Sequence, residues 1–167
     1  MNPKVLSFRP LLELAQAFRE PVTLDNILQL MVNTTATVLW TPRASVRLLD
    51  ETNTKLTAIY RAGTPFHRGP EAEFKIGEGL LGWIAQHKKP LRTGHAERDA
   101  RFVVREGMKG SMGSFLGVPL LAGDVCMGVL SAVEREPDFF TPQHQDLQQL
   151  IASICEPHLR VVWEKQR

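Results

Sequence analysis

The sequence predicts an α+β domain in which an antiparallel β-sheet carries helices on one face. Three observations predict it. Two pairs of β-rich segments are each joined by a short polar turn, the sign of hairpins and so of antiparallel pairing. Long helical periodicity is confined to the two ends of the chain. The alternation of strand and helix that marks a parallel doubly wound sheet is missing.

Taken in order, FRPLLELAQAFR (residues 8–19) puts Leu11, Leu14, Ala15 and Phe18 on one helical face. Ser7 is placed to cap this helix, Pro10 is tolerated in a first turn, and Pro21 ends it. Thr23 then caps a second helix, 24–39, with Ile27, Leu28, Met31, Val38 and Leu39 on its apolar face. ASVRLL (44–49), the polar turn DETNT and KLTAIYRA (55–62) form the first hairpin. EAEFKI offers only a short, half-polar strand before a glycine-rich turn. A short helix at 78–88 and a polar loop at 94–113 follow. SFLGVPLL (114–121) and VCMGVLSAVE (125–134), split by Ala122-Gly123-Asp124, form the second hairpin. Pro119 removes one ladder donor, so its strand carries a bulge or faces an edge there. The last helix opens at Thr141-Pro142, a cap followed by proline at the first helical position. Leu147, Leu150, Ile151, Ile154 and Val161 recur along it at helical spacing. Pro157 kinks it rather than ends it, because apolar periodicity resumes at Leu159.

The bulk properties bound the function. The 167 residues suit one domain with one core (residues 8–160), and no repeat or linker divides them. With 43% hydrophobic and 23% charged residues the chain can bury a core without staples. A net charge of +2, from scattered residues, argues against nucleic acid and against a membrane surface. No apolar run approaches a membrane span, and MNPKVLSF lacks the layout of a signal peptide. Cys126 and Cys155, each among apolar neighbours, fit buried thiols in a reducing cytoplasm. Val161, Val162 and Trp163 are apolar in the final helix, 141–165, and EKQR then ends the chain. That pattern predicts continuation toward a partner helix or an output domain.

Gly77-x-Gly79-x-x-Gly82 has the spacing of a dinucleotide-binding fingerprint, but its setting does not fit one. EAEFKI is a poor buried strand, the following helix stops before Pro90, and Asp99 sits in the polar HAERDARF. Gly77 and Gly79 instead permit a sharp entry turn, and Gly82 lets the helix lie close to the sheet. Leu80, Leu81 and Ile84 form that helix's packed face.

These segments together resemble a GAF domain, a sensory module. GEGLLGWIAQHKKPL is similar to the family's glycine stretch, helix start and following proline. HAERDARF resembles its Asp-x-Arg-Phe loop, and SFLGVPLL with GVLSAV its paired strands. FTPQHQDLQQLIA resembles its closing helix. The resemblance runs from about residue 8 to residue 160. It implies a six-stranded antiparallel sheet with the terminal helices on one face. On the other face it implies a pocket under the short helix and loop. It implies, too, a small ligand such as a cyclic nucleotide, haem, bilin, metabolite or ion. Pairing through the terminal helices and an attached output domain are further expectations.

The residues narrow the ligand without naming it or any cofactor. The Asn-Lys, Phe and Asp-Glu pattern of cyclic-nucleotide-binding members is replaced by Glu134-Arg135, Phe140 and His144-Gln145. The loop 94–113 has no cysteine for bilin attachment or for methionine sulfoxide reduction. His95 is the roof histidine available to haem and His87 ends the short helix; the histidine spacings suit no metal. Arg47 alternates with Val46 and Leu48, so those two face the helices and Arg47 the pocket. There it either pairs with a surface acid or holds a carboxylate, nitrate or phosphate. Arg61 on the next strand has the same status, while Tyr60, of opposite parity, belongs with the helices. Trp83, Phe102 and Ser114 are roof and wall residues by analogy with the family. Gly110-Ser111-Met112-Gly113 lacks nucleophile-elbow spacing, and Glu78, Asp99 and Glu134 have no carboxylate partner in sequence, so no catalytic site is predicted. The expectation is a regulatory sensor binding a small molecule or anion between the sheet and residues 74–113. The alternative is a structural dimerisation module whose pocket is filled by its own side chains.

Overall fold

A computed structural model describes residues 8–62, 67–68, 73–104 and 112–167. In chain order the elements are α1 (Arg9–Ala17), α2 (Leu24–Leu39), β1 (Arg43–Leu49), β2 (Lys55–Arg61), β3 (His67–Arg68), β4 (Phe74–Lys75) and α3 (Gly79–His87). β5 (Leu91–Thr93), β6 (Ser114–Ala122), β7 (Val125–Glu134) and α4 (Pro142–Glu164) complete them. The sheet runs β3-β2-β1-β7-β6-β5, with β4 following β3 on the same edge of β2. All pairs of strands are antiparallel. The six-stranded expectation becomes seven because β3 and β4, two residues each, take separate places on β2. β5 escapes a periodicity reading because three residues with one apolar side chain carry no period.

Local chemistry explains the helix ends. The Thr23 hydroxyl accepts the Asn26 N–H at 3.1 Å and starts α2. Thr141 accepts the His144 N–H at 3.2 Å, and His144 Nδ1 accepts the Thr141 N–H at 2.9 Å. That is a reciprocal capping box with histidine in place of the usual glutamate. Pro10 and Pro142 both sit in first turns, and α4 continues through Pro157 to Glu164. Ser7 lies outside the described residues. The α1 N-cap position is Phe8, which makes no side-chain cap.

The sheet divides the core in two. Ala44, Val46, Leu48, Tyr60, Leu116, Val118, Leu120 and Leu130 face α1, α2 and α4. Leu49, Leu56, Phe115 and Val129 face α3, where Leu80, Leu81, Ile84 and Ala85 meet them. Tyr60 is therefore on the helix side, as its parity predicts. Ala15, Leu150 and Val161, placed by periodicity on packed faces, are exposed. α4 buries Leu147, Ile151, Cys155, Leu159 and Trp163, an i+4 series. Leu150 and Val161 fall on the flank of that stripe.

Pro119 meets the edge expectation and not the bulge. β5 pairs with β6 only as far as Gly117, so beyond it no described strand lies on that side of β6. The nearby bulge belongs to β7: Leu120 pairs with Gly128 and Leu121 with Cys126, which leaves Met127 as the extra residue. Glu156 of α4 accepts the Leu121 N–H beside that bulge at 2.6 Å.

Candidate functional site

The site begins with the period of β1. Ser45, Arg47 and Leu49 point away from the helices because Val46 and Leu48 point toward them. Antiparallel register then sets the neighbours. Arg47 lies opposite Val129 on β7, and Ser45 lies between Ser131 on β7 and Arg61 on β2. The Ser45 and Ser131 hydroxyls are 3.1 Å apart, and Arg47 Nη1 approaches the Ser45 hydroxyl at 3.5 Å. Ser131 is buried. The Arg47 guanidinium sits 5.4 Å from the centre of the Phe74 ring, within the range of a cation–π contact.

Phe74 is also the first wall of a hollow of about 40 Å³, bounded by Leu80, Leu81, Phe102, Val103, Met112 and Phe115. Each of these residues is apolar. α3 reaches this position through the glycine turn. Gly77 and Gly79 adopt φ of +87° and +70°, and a Cβ on Gly82 would stand 2.3 Å from the Lys75 carbonyl oxygen. The glycines thus fold α3 onto β4 and serve packing.

The cover beyond α3 is tied down by charge. Asp99 accepts the Arg101 N–H at 2.9 Å and Arg101 Nε and Nη2 at 2.8 and 2.7 Å. Arg101 then lies 4.6 Å from the centre of the Trp83 ring, and Trp83 stacks on His87 at 4.5 Å. Hydrogen bonds from the Arg101 side chain hold the Asp99 carboxyl below the usual carboxylate range. The adjoining Phe102 N–H donates to the Asp99 carbonyl at 3.0 Å. The segment ends against β6, where Ala96 N–H donates to the Gly113 carbonyl at 2.7 Å and Met112 N–H to Glu97 Oε1 at 2.7 Å.

The six residues singled out from sequence separate into groups. Phe102 lines the hollow, Arg47 contacts Phe74 without lining it, and Trp83 meets Arg101 of the cover. Arg61 is exposed, beside Ser45 in register. His95 is turned to Asp138, with Nε2 3.3 Å from Oδ2. Ser114 is buried and donates to the Glu136 carbonyl at 2.8 Å. Neither His95 nor Ser114 lines the hollow. Four residues not singled out join the site: Ser45, Phe74, Arg101 and Ser131. Ser45 shares the parity of Arg47, which is a readable signal. Ser131 reaches the site through cross-strand register, which leaves no local signal.

Cys126 and Cys155 are buried, and burial pushes the Cys155 thiol up to about 12. Among the described residues no group of His, Cys, Asp and Glu is arranged to hold a metal ion. No helix there is long and apolar enough to cross a membrane.

Comparison with known proteins places this geometry. The family model for the GAF domain matches residues 21–159. The chain is 26% identical over 157 residues to the probable 3',5'-cyclic phosphodiesterase pde-5 of Caenorhabditis elegans, covering 87% of this chain. It is 24% identical over 122 residues to the Nif-specific regulatory protein of Herbaspirillum seropedicae, covering 71% of this chain. The chain spans 22% of the length of each of these relatives. Among solved structures, the GAF domain of an Acinetobacter phosphoenolpyruvate-protein phosphotransferase superposes with a TM-score of 0.73 at 25% identity, covering 95% of this chain and 96% of that one. The free methionine-R-sulfoxide reductase of Neisseria meningitidis shares the fold, with a TM-score of 0.74 at 16% identity over 93% of this chain and 89% of that one.

Proposed function

The chain belongs to the GAF domain family, and on that premise we propose that it is the regulatory, ligand-sensing domain of a cytoplasmic signal-transduction protein. Its ligand is a small molecule or anion held between the sheet and residues 74–113. One observation carries the reading. A guanidinium, Arg47, and two hydroxyls, Ser45 and Ser131, are gathered on the sheet face that α3 covers, beside an apolar hollow. Such a site pairs one charge contact with an apolar surface, the usual composition of a small-molecule pocket.

Ligand binding would favour the closed arrangement of the cover and so shift the populations of two states of the domain. β1 and β7 carry the site on one face and the core of α2 and α4 on the other, a direct route to the terminal helices. Those helices are where a second copy would pair. Leu150, Ile154 and Val161 form a second apolar stripe on α4, with Leu150 and Val161 exposed, and Leu12 of α1 is exposed as well. An output domain attached to α4 would receive the signal. A thiol-based reductase function gains nothing from the cysteines, which are both buried.

The structural dimerisation reading draws on a different observation. The hollow is about 40 Å³, whereas ligand pockets commonly enclose about 300–1,000 Å³. Aromatic side chains therefore fill most of the space under the cover. A thermal-shift screen of anions, amino acids, nucleotides and haem decides between the two, with native mass spectrometry for a retained molecule. A ligand that binds only the folded state raises Tm. A screen without any shift, and a mass equal to that of the bare chain, would leave the structural module standing.

A further inference from the structure

We propose that the first turn of α4 is a pH-operated clasp, held shut by the neutral ring of His144 and released when that ring takes up a proton. The clasp works with or without a ligand under the cover.

The geometry fixes the protonation state that the clasp needs. The Thr141 N–H donates to His144 Nδ1 at 2.9 Å, and the Thr141 hydroxyl accepts the His144 N–H at 3.2 Å. A ring nitrogen accepts a hydrogen bond only while it carries no proton, so Nδ1 is bare and the ring hydrogen sits on Nε2. On the imidazolium both nitrogens are donors. Nδ1–H could then reach the Thr141 hydroxyl oxygen, 3.0 Å away, but the Thr141 N–H would lose its acceptor and face a second donor. The new charge would also stand in the first turn of a helix, where the aligned peptide dipoles favour anions over cations. Glutamate or glutamine, the usual residue of a capping box, gains no proton near neutrality.

The surroundings set the direction of the response. The His144 ring lies 5.5 Å from the Phe139 ring at 24°, and edge-on to Phe140 at 5.8 Å. Burial lowers its pKa from the ordinary 6.5. Arg92 of β5 donates to the Phe140 carbonyl at 3.2 Å, and Asp138 is turned to His95. Asp146 is two residues along α4, a spacing that does not bring side chains together. Of the other elements around α4, α1 carries Arg9 and Glu13, α2 carries Asp25, β7 carries Glu134 and β6 has no charged residue. Among the described residues none of these forms an ion pair with His144. The stabilisation from the neutral ring is therefore full above about pH 6.5 and is lost as the pH falls through the lower, folded value.

The release has a defined reach. Leu147, Gln148 and Ile151 are buried, so the body of α4 stays packed while its first turn opens. The adjoining turn holds the roof loop, because the Asp138 N–H donates to the Gly94 carbonyl at 3.1 Å and its carboxylate meets His95. Acid thus loosens the junction between the roof loop and α4.

The test is nitrogen-15 NMR of the domain between pH 7.5 and 5, on the wild type and on His144→Gln, which keeps a side-chain acceptor for the Thr141 N–H. At pH 7.5 the His144 ring is expected to carry its hydrogen on Nε2, and to titrate below the ordinary 6.5. Amide exchange at Thr141 and Gln145, relative to the intrinsic rate, should speed up several-fold in the wild type across that titration. In His144→Gln it should stay flat, and at residues 147–151 neither protein should change. A proton on Nδ1 at pH 7.5 would overturn the clasp. The same pH profile in the wild type and the folded variant would overturn it too, and assign the response to another group. If His144→Gln does not fold, the wild type decides alone: ring titration and Thr141 exchange should share one midpoint, and separate midpoints would sink the proposal.

Discussion

The guanidinium of Arg101 lies 4.6 Å from the centre of the Trp83 ring, held there by two hydrogen bonds to the Asp99 carboxylate. Trp83 belongs to α3 and Arg101 to the segment that carries Phe102 over the hollow. One stacked pair therefore joins the two halves of the cover. Arg101 is part-exposed, so solvent screens the pair and its worth is about 0.5–1 kcal/mol. Arg101→Ala is expected to lower Tm by about 1–4 °C and to speed amide exchange at Phe102 and Val103. Exchange rates across 96–104 equal to those of the wild type would show that the stack does not hold the cover.

The same pair predicts an acid response. Hydrogen bonds from Arg101 lower the Asp99 pKa from its ordinary 3.8. A carboxyl whose folded pKa lies below its unfolded value stabilises the fold above about pH 4. That contribution is lost as the pH falls through the folded value. Exchange at Phe102 should accelerate below about pH 4 relative to the intrinsic rate, and Arg101→Ala should flatten that dependence. A variant that keeps the full acid response would assign it to another carboxylate.

Glu156 ties α4 to β6 beside the bulge of β7. Its carboxylate accepts the Leu121 N–H at 2.6 Å, and burial raises its pKa despite that bond. Glu156→Ala would remove the acceptor of a part-buried N–H, at a cost of about 1–3 kcal/mol. Glu156→Gln keeps an acceptor and removes the buried charge, so its Tm at pH 7 should match or exceed that of the wild type. With the folded pKa raised, the wild type loses stability as the pH climbs from about 4.5 through the folded value, and Glu156→Gln should not. Equal melting of the two variants at pH 7 would refute the assigned role.

Gly82 shows the cost of a single methyl. A Cβ there would meet the Lys75 carbonyl oxygen at 2.3 Å and the Gly77 nitrogen at 3.0 Å, both backbone atoms. Backbone cannot swing aside as a side-chain tip can, so Gly82→Ala should cost about 1–3 kcal/mol. Urea unfolding with an unchanged slope and a lower midpoint is the expected record. A midpoint equal to that of the wild type would mean that α3 can lift from β4 without penalty.

Much of the fold is legible in the residues because the signals are local. Thr23 and Thr141 announce helix starts, and Pro119 announces the end of the β5 pairing beside it. The alternation in SVRLL separates Arg47 from Val46 and Leu48 without reference to any other segment. The site is less legible. Analogy with the family puts Ser114 in it, yet the Ser114 hydroxyl donates to the Glu136 carbonyl. His95, on the roof loop, turns to Asp138 in the turn between β7 and α4. Leu150 and Val161 fit one helical stripe in sequence, while the packed i+4 series of α4 leaves them on its flank.

The sequence by itself determined the types of the long elements, the hairpin pairing and the side of the sheet to which Arg47 belongs. Each depends on a period of two or 3.6 residues or on one turn residue, and such information is carried within a few positions. Tertiary structure decided that Ser131 meets Ser45, that Phe74 lies between Arg47 and the hollow, and that Arg101 closes on Trp83. Those meetings depend on strand register and on how the chain packs back on itself. Both are settled by the summed burial of residues distant in sequence and by no short stretch of it.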